Sequence, residues 1–201
     1  GGAEVAGNYA VFLAHIQGDL TGAEEYFQRA LEADPTRVET LINYAHFLEL
    51  CLTDDDRAQE AFERALAACG SSNAPLLGSY ALFRARTHEE DAEENKQLFQ
   101  RALEADPTNG PNLAAFATFL SGVLGQNEQA DVLFRRSIES SPSDASILGA
   151  YASFVAEVLH DNDSAEVYFR RALEAAPDHT VNLGRFAYFL HAVRGDHHAA
   201  D

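Results

Sequence analysis

A heptapeptide, Arg-Ala-Leu-Glu-Ala-Asp-Pro, occurs twice without change, at residues 29–35 and 101–107. Degenerate copies stand at 64–70 (RALAACG), 136–142 (RSIESSP) and 171–177 (RALEAAP). Successive starts lie 35, 37, 35 and 35 residues apart. A fixed period of this size confines the chain to a stacked repeat array, in which each unit buries its apolar face against the next. Each copy has the chemistry of a helix end. Ala and Leu share one face, Arg and Glu the other, and Pro stops the helix because it lacks an N–H and clashes with the preceding turn.

A second signal precedes each of these ends: aromatic, Ala, any residue, Phe. It begins at Tyr9, Tyr44, Tyr80, Phe116, Tyr151 and Phe186. Three residues earlier stands an apolar residue: Ala6, Leu41, Leu77, Leu113, Leu148 or Leu183. Apolar residues at i, i+3, i+4 and i+7 make one helical face, so each signal marks a first helix, A. Short turns rich in Asp, Asn, Gly and Thr follow and suit the N-cap of a second helix, B. Helix B carries Ala and Phe four apart, as in Ala23/Phe27, Ala58/Phe62, Ala130/Phe134 and Ala165/Phe169.

The pattern resembles the tetratricopeptide repeat, W-x2-L-G-x2-Y, then A-x3-F, then P, over about 34 residues. Leu41, Leu77, Leu113, Leu148 and Leu183 match its Trp slot, the aromatics its Leu slot, and the Ala that follows each its small Gly slot. The closing Pro is Pro35, Pro107, Pro142 and Pro177. This chain departs in having one extra residue per repeat, expected in the A–B turn, and in Asn95 and Gly70, which replace the family's Ala and Pro. The resemblance implies an all-α, right-handed α-solenoid of antiparallel helix pairs, about eleven helices in all. The repeats fall at approximately 3–37, 38–73, 74–109, 110–144 and 145–179, with a partial repeat at 180–201, in one solenoid over 1–201. The beginning and end in mid-repeat suggest a fragment of a longer array.

In the family, helix A side chains not used in packing contact a bound peptide in a concave groove. By that match the second repeat supplies Asn43, His46, Glu49 and Leu50, and the third Ser79, Leu82 and Arg86, with Gly78 and Ala85. The fourth supplies Ala115, Thr118 and Ser121, with Ala114; the fifth Ser153 and Glu157, with Gly149, Ala150 and Ala156. The last supplies Arg185, Tyr188 and His191.

Charge constrains the partner. Lys and Arg number 14 against 32 Asp and Glu, a formal charge of −18. This disfavours nucleic acid, whose phosphates need a basic face. From Val38 on, helices A carry only Glu39, Glu49, Arg84, Arg86, Glu157 and Arg185, so the excess acid sits on helices B and in turns. The groove is near neutral, and with no Lys on any helix A it does not match the family's carboxylate-clamp subtype. No apolar run approaches the ~20 residues of a membrane span. A secretory leader is not seen, which favours the cytoplasm.

Cys51 and Cys69 are expected at opposite ends of a helix pair, as buried small hydrophobes rather than a disulfide. His197-His198 beside Asp196 and His191 lacks the convergence of a metal site. Asp161-Asn162-Asp163 lacks the Gly and Glu spacing of a calcium loop and reads as an N-cap. Arg194-Gly195-Asp196 occupies an ordinary repeat turn, and Asn162-Asp163-Ser164 is a weak glycosylation pattern. No phosphate loop, nucleophile elbow or acid/base set points to catalysis, and no cofactor is implied. The primary expectation is a non-enzymatic scaffold that binds a protein or peptide partner. The alternatives are a structural protein stacking end to end, through Leu183, Phe186, Phe189 and Leu190 at one end and Tyr9 and Phe12 at the other, and the regulatory arm of a larger protein.

Overall fold

The computed structural model describes residues 1–70 and 72–194. Arg194-Gly195-Asp196, but for the backbone of Arg194, and His197-His198 lie outside the described residues. Eleven α-helices and no strand occur among them. The fold is all-α, made of antiparallel helix pairs. The chain divides into two compact units, Gly1–His88 and a second from Glu89 on.

The first unit holds α1 (Gly2–Phe12), α2 (Leu20–Ala33), α3 (Val38–Phe47), α4 (Asp55–Cys69) and α5 (Ala74–Thr87). The second holds a 3₁₀ turn (Glu89–Asp91), α6 (Ala92–Ala105), α7 (Gly110–Gly122), α8 (Asn127–Ser140), α9 (Ala145–Glu157), α10 (Asn162–Ala175) and α11 (Thr180–Phe189).

One packing rule runs through both units. The Phe of a B helix inserts between the two aromatics of the next A helix. In the first unit Phe27 lies 5.4 Å from Tyr44 and 5.3 Å from Phe47, and Phe62 lies 5.6 Å from Tyr80 and 5.3 Å from Phe83, between ring centroids. In the second, Phe99 meets Phe116 and Phe119, Phe134 meets Tyr151 and Phe154, and Phe169 meets Phe186 and Phe189, all at 5.2–5.5 Å. Each inserted ring is almost fully buried. Burying one is worth about 1.5–3 kcal/mol. The Ala between the two aromatics is fully buried at Ala10, Ala45, Ala81, Ala117 and Ala152, which lets adjacent helices approach.

The heptapeptide has a second structural role. Its Arg reaches back to the proline carbonyl that closes the preceding repeat: Arg64 to Pro35 at 3.4 Å, Arg136 to Pro107 at 3.1 Å, Arg171 to Pro142 at 3.4 Å. Its Asp turns the chain. The Asp34 and Asp106 carboxylates accept from the backbone N–H and hydroxyl of Thr36 and Thr108.

The extra residue is taken up in two ways: after α7 and α9 the A–B links 123–126 and 158–161 are long, as the sequence places it, but after α1 and α3 they are not. The A–B links after α1 and α3 are short, and the last turn of each helix widens into a π-helical turn, Leu13–Gln17 and Leu48–Leu52. A third such turn, Leu190–Arg194, follows α11. A single extra residue in a helix is accommodated this way because i→i+5 bonds span it without breaking the ladder. The first two turns close in the left-handed conformation, at Gly18 (φ 68°) and at Thr53 (φ 52°). Asp19, Asp54 and Asp161 cap the helices that follow them, accepting from Gly22, Arg57 and Ser164 N–H groups. Ser164 holds the Asp161 carboxyl below the usual carboxylate range through its hydroxyl and its N–H.

Cys51 and Cys69 are free thiols, and both are half-buried rather than buried. Each lies at the end of its helix, where one side of the residue faces outward.

Candidate functional site

The second unit gathers six of the expected groove residues around one cleft, Ala150 among them. Thr118 and Ser121 come from α7, Ser153 and Glu157 from α9, and Arg185 from α11. The cleft has a volume of about 220 Å³. Phe134, inserted by the packing rule above, and Phe154, one of the two rings it sits between, also line it, with Ala150 and Val158. Successive A helices of this unit are 35 residues apart in sequence, so equivalent positions recur on neighbouring helices and line up side by side.

The polar groups of this cleft fall into two sets. Thr118 donates to the Ala114 carbonyl at 3.0 Å within its own helix, and Ser121 donates to Asn127 Oδ1 at 2.9 Å. Ser153, Glu157 and Arg185 make no hydrogen bond or ion pair among the described residues. The cleft thus offers one hydroxyl, one anion and one cation with free valences, above an aromatic lining. Ala115 is half-buried on α7, outside the cleft lining, and Tyr188 is 63% exposed on α11, with His191 exposed one helical turn on.

The first unit arranges its candidates differently. Glu49, at 11% side-chain exposure, accepts from the Arg86 guanidinium at 3.1 Å, and His46 Nδ1 lies 3.4 Å away. Arg86 also donates to Asp55 at 3.2 Å and lies over the Phe83 ring at 5.9 Å. The His46 ring packs edge-on against Phe62 at 5.4 Å. These groups satisfy one another. Leu50 and Leu82 are exposed beside them, while Asn43 and Ser79 are half-buried.

Several positions matched to the groove belong to the packing instead. Gly78, Ala114, Gly149 and Ala156 are buried. Gly149 shows the cause. A Cβ there would lie 2.0 Å from Asn182 Oδ1, and the Asn182 amide donates to the Ala145 carbonyl at 2.7 Å. Asn182 is fully buried between α9 and α11 and was not signalled by the repeat pattern, since most copies carry other residues at that slot. The cleft lining by Phe134 and Phe154 was legible only as core, because an aromatic at A-x3-F spacing reads as packing from sequence.

The fold and site define a helix-pair repeat protein of the α-solenoid class. Residues 3–37 match the family model of the tetratricopeptide repeat. Solved structures share the fold along nearly the whole chain. TTC0263, a thermophilic TPR protein of Thermus thermophilus, aligns at a TM-score of 0.77 with 20% identity, over 94% of this chain and 98% of that one. PilW, a widely conserved type IV pilus biogenesis factor, aligns at 0.77 with 22% identity, over 98% and 88%. YrrB, a TPR protein with an unusual peptide-binding site, aligns at 0.53 with 23% identity, over 87% and 86%. No curated protein matches by sequence. One repeat is matched by the family model, and the same helix-pair geometry recurs in both units, so the chain has the fold of tetratricopeptide repeat proteins.

Proposed function

We propose that this protein is a non-enzymatic interaction scaffold that holds an extended peptide against its A helices, with the cleft of the second unit as the principal contact. The observation that carries this reading is the convergence of Thr118, Ser121, Ser153, Glu157 and Arg185 on one cleft in which Ser153, Glu157 and Arg185 have no partner among the described residues. Free valences in a concave, aromatic-lined site are the groups a ligand backbone and its side chains satisfy. Opposite charges on Glu157 and Arg185 favour a peptide of mixed or zero charge over a strongly basic one. The likeness to YrrB, whose site binds peptide, supports the same reading. In the first unit the corresponding groups His46, Glu49 and Arg86 are already paired with one another, beside the exposed Leu50 and Leu82.

A peptide library panned on the full chain tests this. Binders should lose affinity by tenfold or more on Ser153→Arg or Arg185→Glu, with the helical circular dichroism unchanged. Binders indifferent to both changes would remove the cleft from the mechanism.

A second reading, end-to-end association, is favoured by one observation. Val5, Tyr9 and Phe12 of α1 and Ile16 of the π-helical turn that follows it form an exposed stripe, at 69%, 41%, 42% and 72% exposure. The other expected contact surface needs correction. Phe189 and Leu190 are buried, because Phe169 packs against Phe189 at 5.3 Å. Val181, Leu183 and Tyr188 are the exposed apolar groups of α11. Light scattering over a hundredfold concentration range decides: mass rising without a plateau supports stacking, and a constant monomer mass excludes it.

A further inference from the structure

The face opposite the groove residues carries a recurring slot over the first aromatic of an A helix, walled by the preceding B helix and, at α3, α7 and α9, by the following one as well. Three of these slots are filled. In the first unit, Arg57 of α4 lies over the Tyr44 ring at 5.7 Å, donates to the Tyr44 hydroxyl oxygen, and pairs with Glu24 of α2. In the second unit, Tyr168 of α10 packs edge-on against Tyr151 at 4.7 Å. Arg135 covers the same ring at 5.9 Å, and the Tyr151 hydroxyl donates to Asp131 at 2.9 Å. Over Phe186 of α11, Arg170 lies at 5.8 Å.

The slot over Phe116 has none of these fillers. By repeat register, Lys96 replaces Asp131, Gln100 replaces Arg135, Phe116 replaces Tyr151 and Leu133 replaces Tyr168. At the position of Arg57 stands Gln129. The result is a cleft of about 390 Å³ lined by Phe116, Leu120, Val132 and Leu133, with Lys96 on one wall and Glu128 and Gln129 on the other. Lys96 is the only lysine in a chain of formal charge −18, and it makes no ion pair or hydrogen bond among the described residues.

We propose that this vacated slot is a second docking site, which takes an aromatic side chain of a partner polypeptide next to an acidic residue. The filled slots show what fits: a planar group lying on or against the aromatic ring, where its attraction to the ring adds to the area it buries. The unpaired ammonium of Lys96 supplies the charge complementarity. A carboxylate beside the inserted ring reaches the α6 wall, while Glu128 repels the same group from the α8 wall and so fixes the direction in which the peptide runs. The site lies on α6, α7 and α8 and shares no residue with the groove cleft, so either can fail without the other.

The test uses the ¹⁵N-labelled full chain titrated with the blocked tripeptide Ac-Asp-Phe-Asp-NH2. Saturable amide shifts should cluster at Lys96, Gln100, Phe116 and Val132. Ac-Asn-Phe-Asn-NH2, or Lys96→Gln with the acidic peptide, should bind about tenfold more weakly, the worth of one charge-assisted contact. Leu133→Tyr, which refills the slot as Tyr168 fills its neighbour, should abolish the shifts and leave groove binding intact. Absence of saturable shifts at millimolar peptide, or shifts that persist in Leu133→Tyr, overturns the proposal. Benzoate binding as tightly as the tripeptide overturns the polypeptide occupant, since the slot would then recognise a free aromatic acid.

Discussion

The two units are built by one packing rule and differ in what their A helices do with charge. In the first, Glu49 draws Arg86 and His46 into a mutually satisfied cluster. In the second, Glu157 and Arg185 line the same cleft and pair with nothing described. The scaffold therefore does not dictate the state of the groove. One or two substitutions per repeat decide whether a polar side chain braces a neighbouring helix or stays without a described partner. A similar divergence appears on the opposite face, where Arg57 closes a slot in the first unit that is open over Phe116 in the second.

If the packing is common to both units, the largest effects should be equal in the two. Phe62→Ala and Phe134→Ala each remove a ring held between two others, and each should cost about 3–5 kcal/mol in denaturant unfolding. A large inequality would mean that the shared rule hides different cores. The next comparison should separate them. Gly149→Ala drives a Cβ into Asn182, which is fully buried, and should cost about 1–3 kcal/mol. Its counterpart Gly7→Ala meets only the Thr40 side chain, nearest at its hydroxyl at 3.0 Å, and should be near neutral because Ala favours the helix by about 1 kcal/mol.

Charge gives a smaller contrast. Glu49→Gln leaves Arg86 with Asp55 alone and should cost about 1 kcal/mol, discounted because Arg86 is half-exposed. Glu157→Gln should leave stability unchanged and alter only ligand binding. The smallest effect is in the alkaline limb of stability. Burial, then the hydrogen bond to Asp131, pushes the Tyr151 hydroxyl well above its ordinary value. Burial raises Tyr44 and Tyr80 as well. Above about pH 10 the unfolded chain releases phenol protons that the folded chain keeps, so stability falls as pH rises. Tyr151→Phe should cost about 1 kcal/mol or less at neutral pH and shallow that decline. An unchanged slope would remove Tyr151 from the balance.

The period, the aromatic pairs and the closing prolines made the helix pairs legible in the sequence, because each is a local pattern repeated in register. The groove was legible at coarse grain only. Position on a helix face does not tell whether a side chain is satisfied, and that separated Arg86 from Arg185. Gly149 and Asn182 were unreadable for a related reason. Their fit is a contact between residues far apart in sequence, and the matching positions of the preceding copy read Ala114 and Ile147. The widened turns that absorb the extra residue leave no mark in composition. A π-helical turn has the same residues as an α-helical one and differs only in which carbonyl each N–H finds.

The contact from a heptapeptide arginine to the preceding proline carbonyl, made by Arg64, Arg136 and Arg171, has a consequence for how such a chain can grow. Donor and acceptor are both written in the same seven residues, so a copy that keeps its Pro, as at 136–142, carries the plug for the repeat before it and the socket for the repeat after it. A gene segment of one period, duplicated in frame, would arrive with both halves of its joint already made. Lengthening the array then needs no invention of a new interface, and side chains on the two faces are left free to diverge while the joints hold.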